Sequence, residues 1–590
     1  LGQYETGSKD ELSRAISAAQ AFSNTVTPEI LQYDIAYAAK ILEAEIERFR
    51  RRVITTGDPS LLGEVIADAD ERIRQAVEGN EEGNYPAGSI DTLQNTVDSA
   101  QAVYENAAAK TYLELNNAVL ELTNAIAAFE AVKIVEAPTQ FETYITRNGD
   151  KLMDGNNELR FFSFNIPTLT INQQPSWKTP GGENKLRRVD PWEQEDAMKT
   201  ICQLGGQVAR TYVFSIIGGT LSKDVAHITD VGQYNEALFE DFDRLLSYAN
   251  KYGVRLIIPL IDQWDHWGGI KQFAELHGKS QDSFFTDEAI KEDFKKFIST
   301  VLNRTNTITG VKYKDDKAIL AWETGNELSP PDNWTEEMAE YIKRIDRVHL
   351  VMDGNYGISD SSLKNPNIDI VSNHYYDSDK TFSERYLLDA SKAKERKPFI
   401  VGEFGLSTQS NMQELITTVR DNGTTGALIW ALGTHSVDGG FLQESYHWPA
   451  QNDSEEIMVD FMRESAYEIQ GKPVPELAAP EKPEILPIEY HLDIAWKGSA
   501  GAYYYDLERS EAMDGPWIKI AENLREGIGA EYKPYGDTIV ERGRSYYYRL
   551  IAKNKSGASS EPSDVKSYTV IHMNDTRKLE KSIQNAIDKY

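Results

Sequence analysis

Two glutamates at the ends of apolar runs carry the strongest chemical signal in this 590-residue sequence: Glu327 at the end of ILAWETGNE and Glu403 within PFIVGEFG. Polar residues collect at the ends of similar runs: Arg210 after GQVA, Asn326 beside Glu327, His374 and Tyr376 after DIVSN, and Trp430 after GALI. Two carboxyl groups facing each other across a cleft suit cleavage of a glycosidic bond. One, protonated, donates to the leaving oxygen; the other attacks the anomeric carbon or activates water there. An arginine near one carboxylate favours its ionised form, and an aromatic enclosure raises the pKa of the other. The small neighbours of Glu403 in GEFG leave room for a substrate. Strand-end residues that merely cap a sheet would not combine an acid pair, an arginine, a histidine and aromatics.

These residues need a scaffold that brings run ends together. The region 138–472 alternates short β-like runs with amphipathic helical stretches: FFSFN, GQVARTYVF, VRLIIPLID, ILAWETGNE, HLVMDGN, DIVSNHYY, PFIVGEFG and GALIWAL. Eight βα units in about 330 residues have the size and rhythm of a (β/α)8 TIM barrel, whose functional residues lie at the C-terminal strand ends. A doubly wound α/β sheet shares the local rhythm, but no Gly-rich phosphate loop follows any run. Asn148-Gly149 and Asp154-Gly155 mark hairpin turns before the first barrel strand.

The flanks read differently. Residues 1–135 show helical periodicity, with Leu12, Ile16 and Ala19 on one stripe and Ile35, Ala38, Leu42 and Phe49 on another. GQYETGSKDELSRAISAAQ at 2–20 is repeated as GNYPAGSIDTLQNTVDSAQ at 83–101, and Leu42, Ile46 and Phe49 align with Leu122, Ile126 and Phe129. Each copy predicts a small all-α bundle, with Ser8 and Ser89 as helix N-caps. The segment resembles helical bundle repeats attached to bacterial cell-surface and extracellular polysaccharide enzymes. That implies a spacer or a surface tether, and an extracellular or cell-surface setting. Five of the 22 prolines fall between 471 and 487, which marks 473–486 as a linker. Residues 487–571 alternate in short β-rich runs and resemble a fibronectin type III all-β sandwich, with Trp496 early and SYYYRLIAKNKSGASSEPS late. Its alternating tyrosines read as packing. Residues 572–590, with Leu579, Ile583 and Ile587, begin a further helical segment, so the natural chain is expected to continue beyond Tyr590. The opening LGQYETGSKDEL reads as a mature or trimmed start.

Composition excludes several classes. A net charge of −31 opposes nucleic-acid binding, while a neutral polysaccharide meets no such barrier. No stretch approaches the roughly 18 apolar residues of a membrane span. Cys202 is the single cysteine, so neither an internal disulfide nor a thiolate zinc cluster is available. No metal-ligand spacing is evident among the nine histidines, and no cofactor is expected.

The middle region resembles glycoside hydrolase family 5, of the retaining clan whose acid and nucleophile come from barrel strands four and seven. WETGNEL at 322–328, HYY at 374–376, GEFG at 402–405 and Trp430 match its motifs in order. The resemblance implies Glu327 as acid/base, Glu403 as nucleophile and Asn326 as the ligand of the substrate 2-hydroxyl. Arg210 and Tyr376 would hold Glu403, His374 would support Glu327, and Trp430 would floor the sugar that is cleaved. Within that family the sequence is most similar to endo-β-1,4-mannanases, through ARTYVFS, IDQWDHWGG at 261–269 and VDGGF at 437–441. The substrate so implied is β-mannan or glucomannan, with Trp264 and Trp267 as sugar contacts and Trp322 as a packing residue. The sequence departs from the family at Leu328-Ser329-Pro330-Pro331 and at His266, where leaving-group sugars would bind. Exo-action, β-1,4-glucanase activity and a non-catalytic glycan-binding role stay open as alternatives.

Overall fold

In the computed structural model each of the eight apolar runs forms a parallel strand: β1 (Phe161–Asn165), β2 (Val208–Arg210), β3 (Arg255–Pro259), β4 (Ile319–Glu323), β5 (Leu350–Met352), β6 (Val371–Tyr376), β7 (Phe399–Gly405) and β8 (Gly426–Ile429). Strands buried on both faces carry apolar residues continuously rather than alternately, which is why these runs were readable. The structure describes residues 3–4, 8–23, 42, 53–55, 59–79, 85, 88–110, 112–131, 141–174, 185–219, 221–376, 382–442, 446–448, 452–527 and 534–571.

The sheet runs β5-β4-β3-β2-β1-β8-β7-β6. Between β5 and β6 there is an isolated bridge, Met352 to Ile370, in place of a ladder. The Ile370 N–H donates to the Val351 carbonyl at 3.1 Å and the Asp353 N–H to the Ile370 carbonyl at 3.3 Å. Two aspartates complete this seam: the Val351 N–H donates to Asp369 Oδ2 at 2.9 Å, and the Ser372 N–H to Asp353 Oδ1 at 3.4 Å. The eight strands thus form a nearly closed barrel with the layout of a (β/α)8 fold.

Helices cover its outside: α1 (Pro191–Gln203), α2 (Glu236–Tyr252), α3 (Glu288–Asn303), α4 (Asp332–Ile345), α5 (Asp360–Lys364), α6 (Phe382–Ala393), α7 (Gln409–Asn422) and α8 (Asp453–Ile469). Their starts follow capping chemistry: Asp190, Asn235 and Asp287 each accept a backbone N–H in the first turn of α1, α2 and α3. One apolar layer joins strands to helices through Phe162, Phe164, Leu256, Ile258 and Trp322, among others. A second fills the barrel interior with Phe161, Val208, Ile257, Leu320, Ile400 and Leu428. Ile145, Leu152 and Leu159, from the antiparallel sheet Ile145–Asn148, Lys151–Asp154 and Asn157–Leu159, join that interior cluster. Both hairpins turn where expected but one residue later, on Gly149-Asp150 and Gly155-Asn156, with Asn148 and Asp154 still paired in the strands. Trp322 is buried and donates its indole N–H to Asp346 Oδ2 at 2.8 Å, a packing role as expected.

In the N-terminal region, helices Ser60–Gln75, Ser89–Glu105 and Tyr112–Ala131 share a core of Leu62, Ile66, Leu93, Val97, Leu122, Ile126 and Phe129. Leu42 is buried too, and a further helix covers Ser8–Ser23. Gly88, at φ 88°, occupies the cap position before Ser89, and Glu78 accepts the Gly88 and Ile90 N–H groups. The cap is therefore built by a glycine and a distant glutamate rather than by the Ser89 hydroxyl. Ile35, Ala38, Ile46, Phe49, Leu579, Ile583 and Ile587 lie outside the described residues. No described helix is long and apolar enough to cross a membrane.

Toward the C-terminus, Tyr504–Ser510, Ile518–Leu524, Ser545–Lys553 and Lys566–Thr569 form an antiparallel sheet. Trp496, Tyr505, Tyr546 and Tyr548 are buried in its core, so these aromatics pack. The sheet meets the barrel at His435, in the segment after β8. The ring lies between Asp196 of α1 (Nδ1 to Oδ2, 2.6 Å) and Glu526 (Nε2 to Oε2, 3.2 Å), and the Phe441 N–H donates to the Gly527 carbonyl at 2.8 Å. Burial lowers the His435 pKa, but the two carboxylates outweigh it and raise it to about 10. A histidine whose folded pKa is raised stabilises fully below its unfolded value of about 6.5 and loses that contribution as pH rises to about 10. The melting-temperature gap between wild type and His435→Gln is therefore expected to be widest at pH 6 and to narrow steadily up to pH 10.

Candidate active site

The C-terminal mouth of the barrel gathers the polar residues named above. Arg210 ends β2, and Asn326 and Glu327 follow β4. His374 and Tyr376 lie on β6, Glu403 on β7, and Trp430 follows β8. Register pairs His374 with Glu403 across β6 and β7. Glycines allow this crowding: a Cβ on Gly402 would stand 2.8 Å from His374 Nε2, and one on Gly354, at φ +59°, 2.0 Å from the Gly325 carbonyl oxygen. A Cβ on Gly405 would meet the Trp430 carbonyl at 2.6 Å. The small residues of GEFG thus make room for the neighbouring strands, not for a substrate as the sequence suggested. Beyond Gly325 the chain turns so sharply that Glu327 adopts φ 52°, a strained conformation for a non-glycine residue.

Arg210 is fully buried and spends all five of its N–H donors. Nη1 donates to Glu403 Oε1 at 2.7 Å and to Asn165 Oδ1 at 3.1 Å. Nε and Nη2 donate to Glu323 at 2.7 and 3.1 Å, and Nη2 also to Asn326 Oδ1 at 2.8 Å. Burial lowers the Arg210 pKa, but Glu323 and Glu403 more than compensate, so the guanidinium is a fixed cation. Glu403 takes its second contact from the Tyr376 hydroxyl at Oε2. Burial, then the charge of Glu403, raise the Tyr376 pKa, so the phenol stays a donor.

Glu327 is bound differently. His374 Nδ1 lies 2.8 Å from its Oε1, and the Trp264 indole N–H donates to its Oε2 at 2.5 Å. Burial raises its pKa, but the His374 and Trp264 donors outweigh that and leave it below the ordinary value. The aromatic wall expected to raise this pKa instead contributes a donor that stabilises the ionised form. His374 Nδ1 is also 3.3 Å from Glu403 Oε2, so one imidazole stands between the two carboxylates.

A cavity of about 480 Å³ opens over these groups, lined by Tyr212, Trp264, Glu327, Tyr356, Glu403 and Trp430, among others. Arg210, Asn326, Glu327, His374, Tyr376, Glu403, Trp264 and Trp430 are therefore brought to one place. Trp267 is not. It is 4% exposed, against 56% for Trp264, and packs with Ile171, Leu221, Val225 and Leu238 behind Tyr212. The Ile216 N–H donates to the Trp267 carbonyl at 3.0 Å and pins that backbone inward, so its ring meets the core instead of a sugar. Glu323, Asp262, Tyr212 and Tyr356 join the site without having been singled out. Glu323 was visible in the WETGNE motif, Tyr212 in ARTYVFS and Asp262 in IDQWDHWGG, whereas Tyr356 carried no signal of its own.

Glu327, His374 and Glu403 offer one ligand atom each, all within 4.8 Å of one another, and are the one group of three with cation-like spacing among the described residues. The oxygens are already engaged by Arg210, Tyr376, Trp264 and His374, which suits a proton-handling pair better than a divalent ion.

A family model described as GH family 5 beta-mannosidase-like matches residues 221–428. The chain is 32% identical over 320 residues to mannan endo-1,4-β-mannosidase 1 of Oryza sativa subsp. japonica, covering 43% of this chain and 73% of that protein. It is 37% identical over 307 residues to mannan endo-1,4-β-mannosidase 4 of Solanum lycopersicum, covering 40% and 75%. It is 32% identical over 304 residues to mannan endo-1,4-β-mannosidase 7 of Arabidopsis thaliana, covering 41% and 69%.

Proposed function

This chain belongs to the mannan endo-1,4-β-mannosidase family, and from that premise we propose how its own residues hydrolyse the β-1,4-mannosidic bonds of mannan and glucomannan. The observation that carries the mechanism is the carboxyl spacing: one oxygen of Glu327 and one of Glu403 lie within 4.8 Å. Retaining glycosidases hold their carboxyl groups about 5–5.5 Å apart, and inverting ones about 6.5–9.5 Å, to admit a water. Glu403 attacks the anomeric carbon, forming the glycosyl ester as the bond to the leaving oxygen breaks. Glu327 gives that oxygen its proton. Glu327, now a carboxylate, then takes a proton from water, whose oxygen attacks the same carbon and frees Glu403. Arg210 and Tyr376 hold Glu403 in line, Asn326 meets the 2-hydroxyl, and Trp430 floors the sugar.

The test is time-resolved product analysis on linear mannan, glucomannan and cellulose, with the anomeric form of the first product read by NMR. A spread of β-configured manno-oligosaccharides is expected from the outset. α-Configured products would overturn the double displacement, and release from cellulose alone would overturn the substrate.

Trp264 adds a pH prediction. Its N–H occupies Glu327 Oε2, so a leaving-group oxygen must displace it before the proton can be passed. Glu327 works protonated, and kcat/KM therefore falls as pH rises through its lowered pKa. Trp264→Phe removes a donor to the ionised form, raises that pKa and should move the alkaline limb of the profile to higher pH.

Around the barrel, residues 1–135 serve as helical bundle repeats that space or tether the enzyme at a bacterial surface, and 487–571 as a fibronectin III-like module. The tandem repeat and the antiparallel sheet with its aromatic core support this reading.

A further inference from the structure

Asp262 lies just beyond β3, where the chain leaves the barrel wall, and its side chain is fully buried. Its Oδ1 accepts from Asn326 Nδ2 at 2.9 Å, and its Oδ2 accepts the Tyr212 hydroxyl at 2.6 Å. Backbone bonds fasten the two loops together: Asn326 N–H to the Ile261 carbonyl at 2.7 Å, and Gln263 N–H to the Asn326 carbonyl at 3.0 Å. Both side-chain partners line the cleft.

The donor inventory of Asn326 gives these contacts a direction. Its Oδ1 accepts from the Arg210 guanidinium, and one of its two Nδ2 hydrogens goes to Asp262. One N–H is left for the cavity. A flipped amide would turn its oxygen to the carboxylate and its NH2 to the guanidinium, which are two repulsive contacts. The amide is thus locked between a cation and an anion. Burial pushes the Asp262 carboxyl up to about 6, although Tyr212 and Asn326 act to lower it. What the lock requires of Asp262 is an acceptor at Oδ1 facing the Asn326 NH2.

We infer that Asp262 is a positioning residue for recognition of the substrate 2-hydroxyl: it fixes the Asn326 amide so that the remaining N–H meets that hydroxyl on the sugar being cleaved. The inference rests on the mannanase reading above. The 2-hydroxyl is axial in mannose and equatorial in glucose, so the residue that aims Asn326 also sets discrimination between the two. Tyr212, held by the other carboxylate oxygen, stands edge-on to Trp430 with ring centroids 5.8 Å apart, so the same group shapes the wall beside the sugar floor. Hydrogen bonds to the 2-hydroxyl strengthen in the transition state, so losing the lock falls on kcat rather than KM.

The experiment is a cycle between enzyme and substrate. Wild type, Asp262→Asn and Asp262→Ala are assayed on an aryl β-mannobioside and on its analogue lacking the 2-hydroxyl of the aryl-linked sugar. Asp262→Ala is expected to lower kcat on the full substrate by about 10²-fold, the scale of one transition-state donor, with KM nearly unchanged. It should cost nothing further on the deoxy analogue. Asp262→Asn, which can still accept from Asn326, should keep most of the activity. Equal slowing of both substrates by Asp262→Ala, or no slowing of either, would overturn the inference. Asp262→Leu, of similar volume and without an acceptor, runs the same cycle should the alanine variant not fold. Wild type inert on both substrates would instead overturn the functional reading beneath it.

Discussion

Glu403→Gln is expected to lower kcat on mannan by about 10⁴-fold or more, the scale on which enzymes lose activity when a nucleophile is removed. The amide keeps the shape of the side chain but cannot form the glycosyl ester. It also disturbs two contacts at once. Its NH2 would face either the Arg210 guanidinium, a donor itself, or the Tyr376 hydroxyl, which donates in the wild type. One of those contacts must rearrange. Because Arg210 is fully buried and still bonded to Glu323, Asn165 and Asn326, the barrel itself should stay folded. Single-turnover assays with an activated aryl mannobioside would check this: no burst of phenol is expected, with an unchanged melting temperature. A variant that released a full burst would remove Glu403 from the nucleophile role.

Glu327→Ala should give a loss that depends on the leaving group. A general acid contributes about 10²–10⁴-fold, and a sugar leaving group needs all of it. An acidic phenol departs with little help, so its release in the first step should be nearly preserved while the second step, which needs Glu327 as base, becomes slow. The glycosyl ester then accumulates and can be weighed by mass spectrometry. Added azide needs no base and should restore turnover as the β-mannosyl azide. Equal losses on mannan and on the aryl substrate, with no rescue by azide, would show that Glu327 does not act as the acid/base.

Most of the barrel was legible because buried parallel strands are continuous apolar runs, and the polar groups of the candidate site stand where those runs end. The acid pair, Arg210, His374 and Tyr376 are found at such ends. The failures have physical causes. Trp264 and Trp267 belong to one short loop, and nothing in WDHW tells which ring faces out. The bond between Ile216 and the Trp267 carbonyl decides it, and that contact spans some fifty positions. Asp262 ends an apolar run much as Glu327 does, but its partners Tyr212 and Asn326 come from other strands. The glycines of GEFG looked like space for a ligand because sequence does not show that His374 and Trp430 fill it. The lowered pKa of Glu327 depends on the direction of a single indole N–H.

The seam between β5 and β6 has a dynamic consequence. Going round the ring by the short way, β4 with its glutamate and β7 with the other are separated by β5 and β6 alone, so the path between them crosses the one junction without a ladder. Strand pairing therefore fixes the distance between the two carboxylates least well along this path. The imidazole of His374, 2.8 Å from one carboxylate and 3.3 Å from the other, spans it directly as a strut. The wall is expected to open first where Asp353 and Asp369 stand in for backbone partners, and hydrogen-exchange measurements should find the amides of Val351 and Ser372 exchanging ahead of those in the other barrel strands. Across that weakest joint the two strand ends are braced by side chains as well as by the barrel: His374 between the two carboxylates, and Arg210 between Glu403 and the Glu323–Asn326 end of β4.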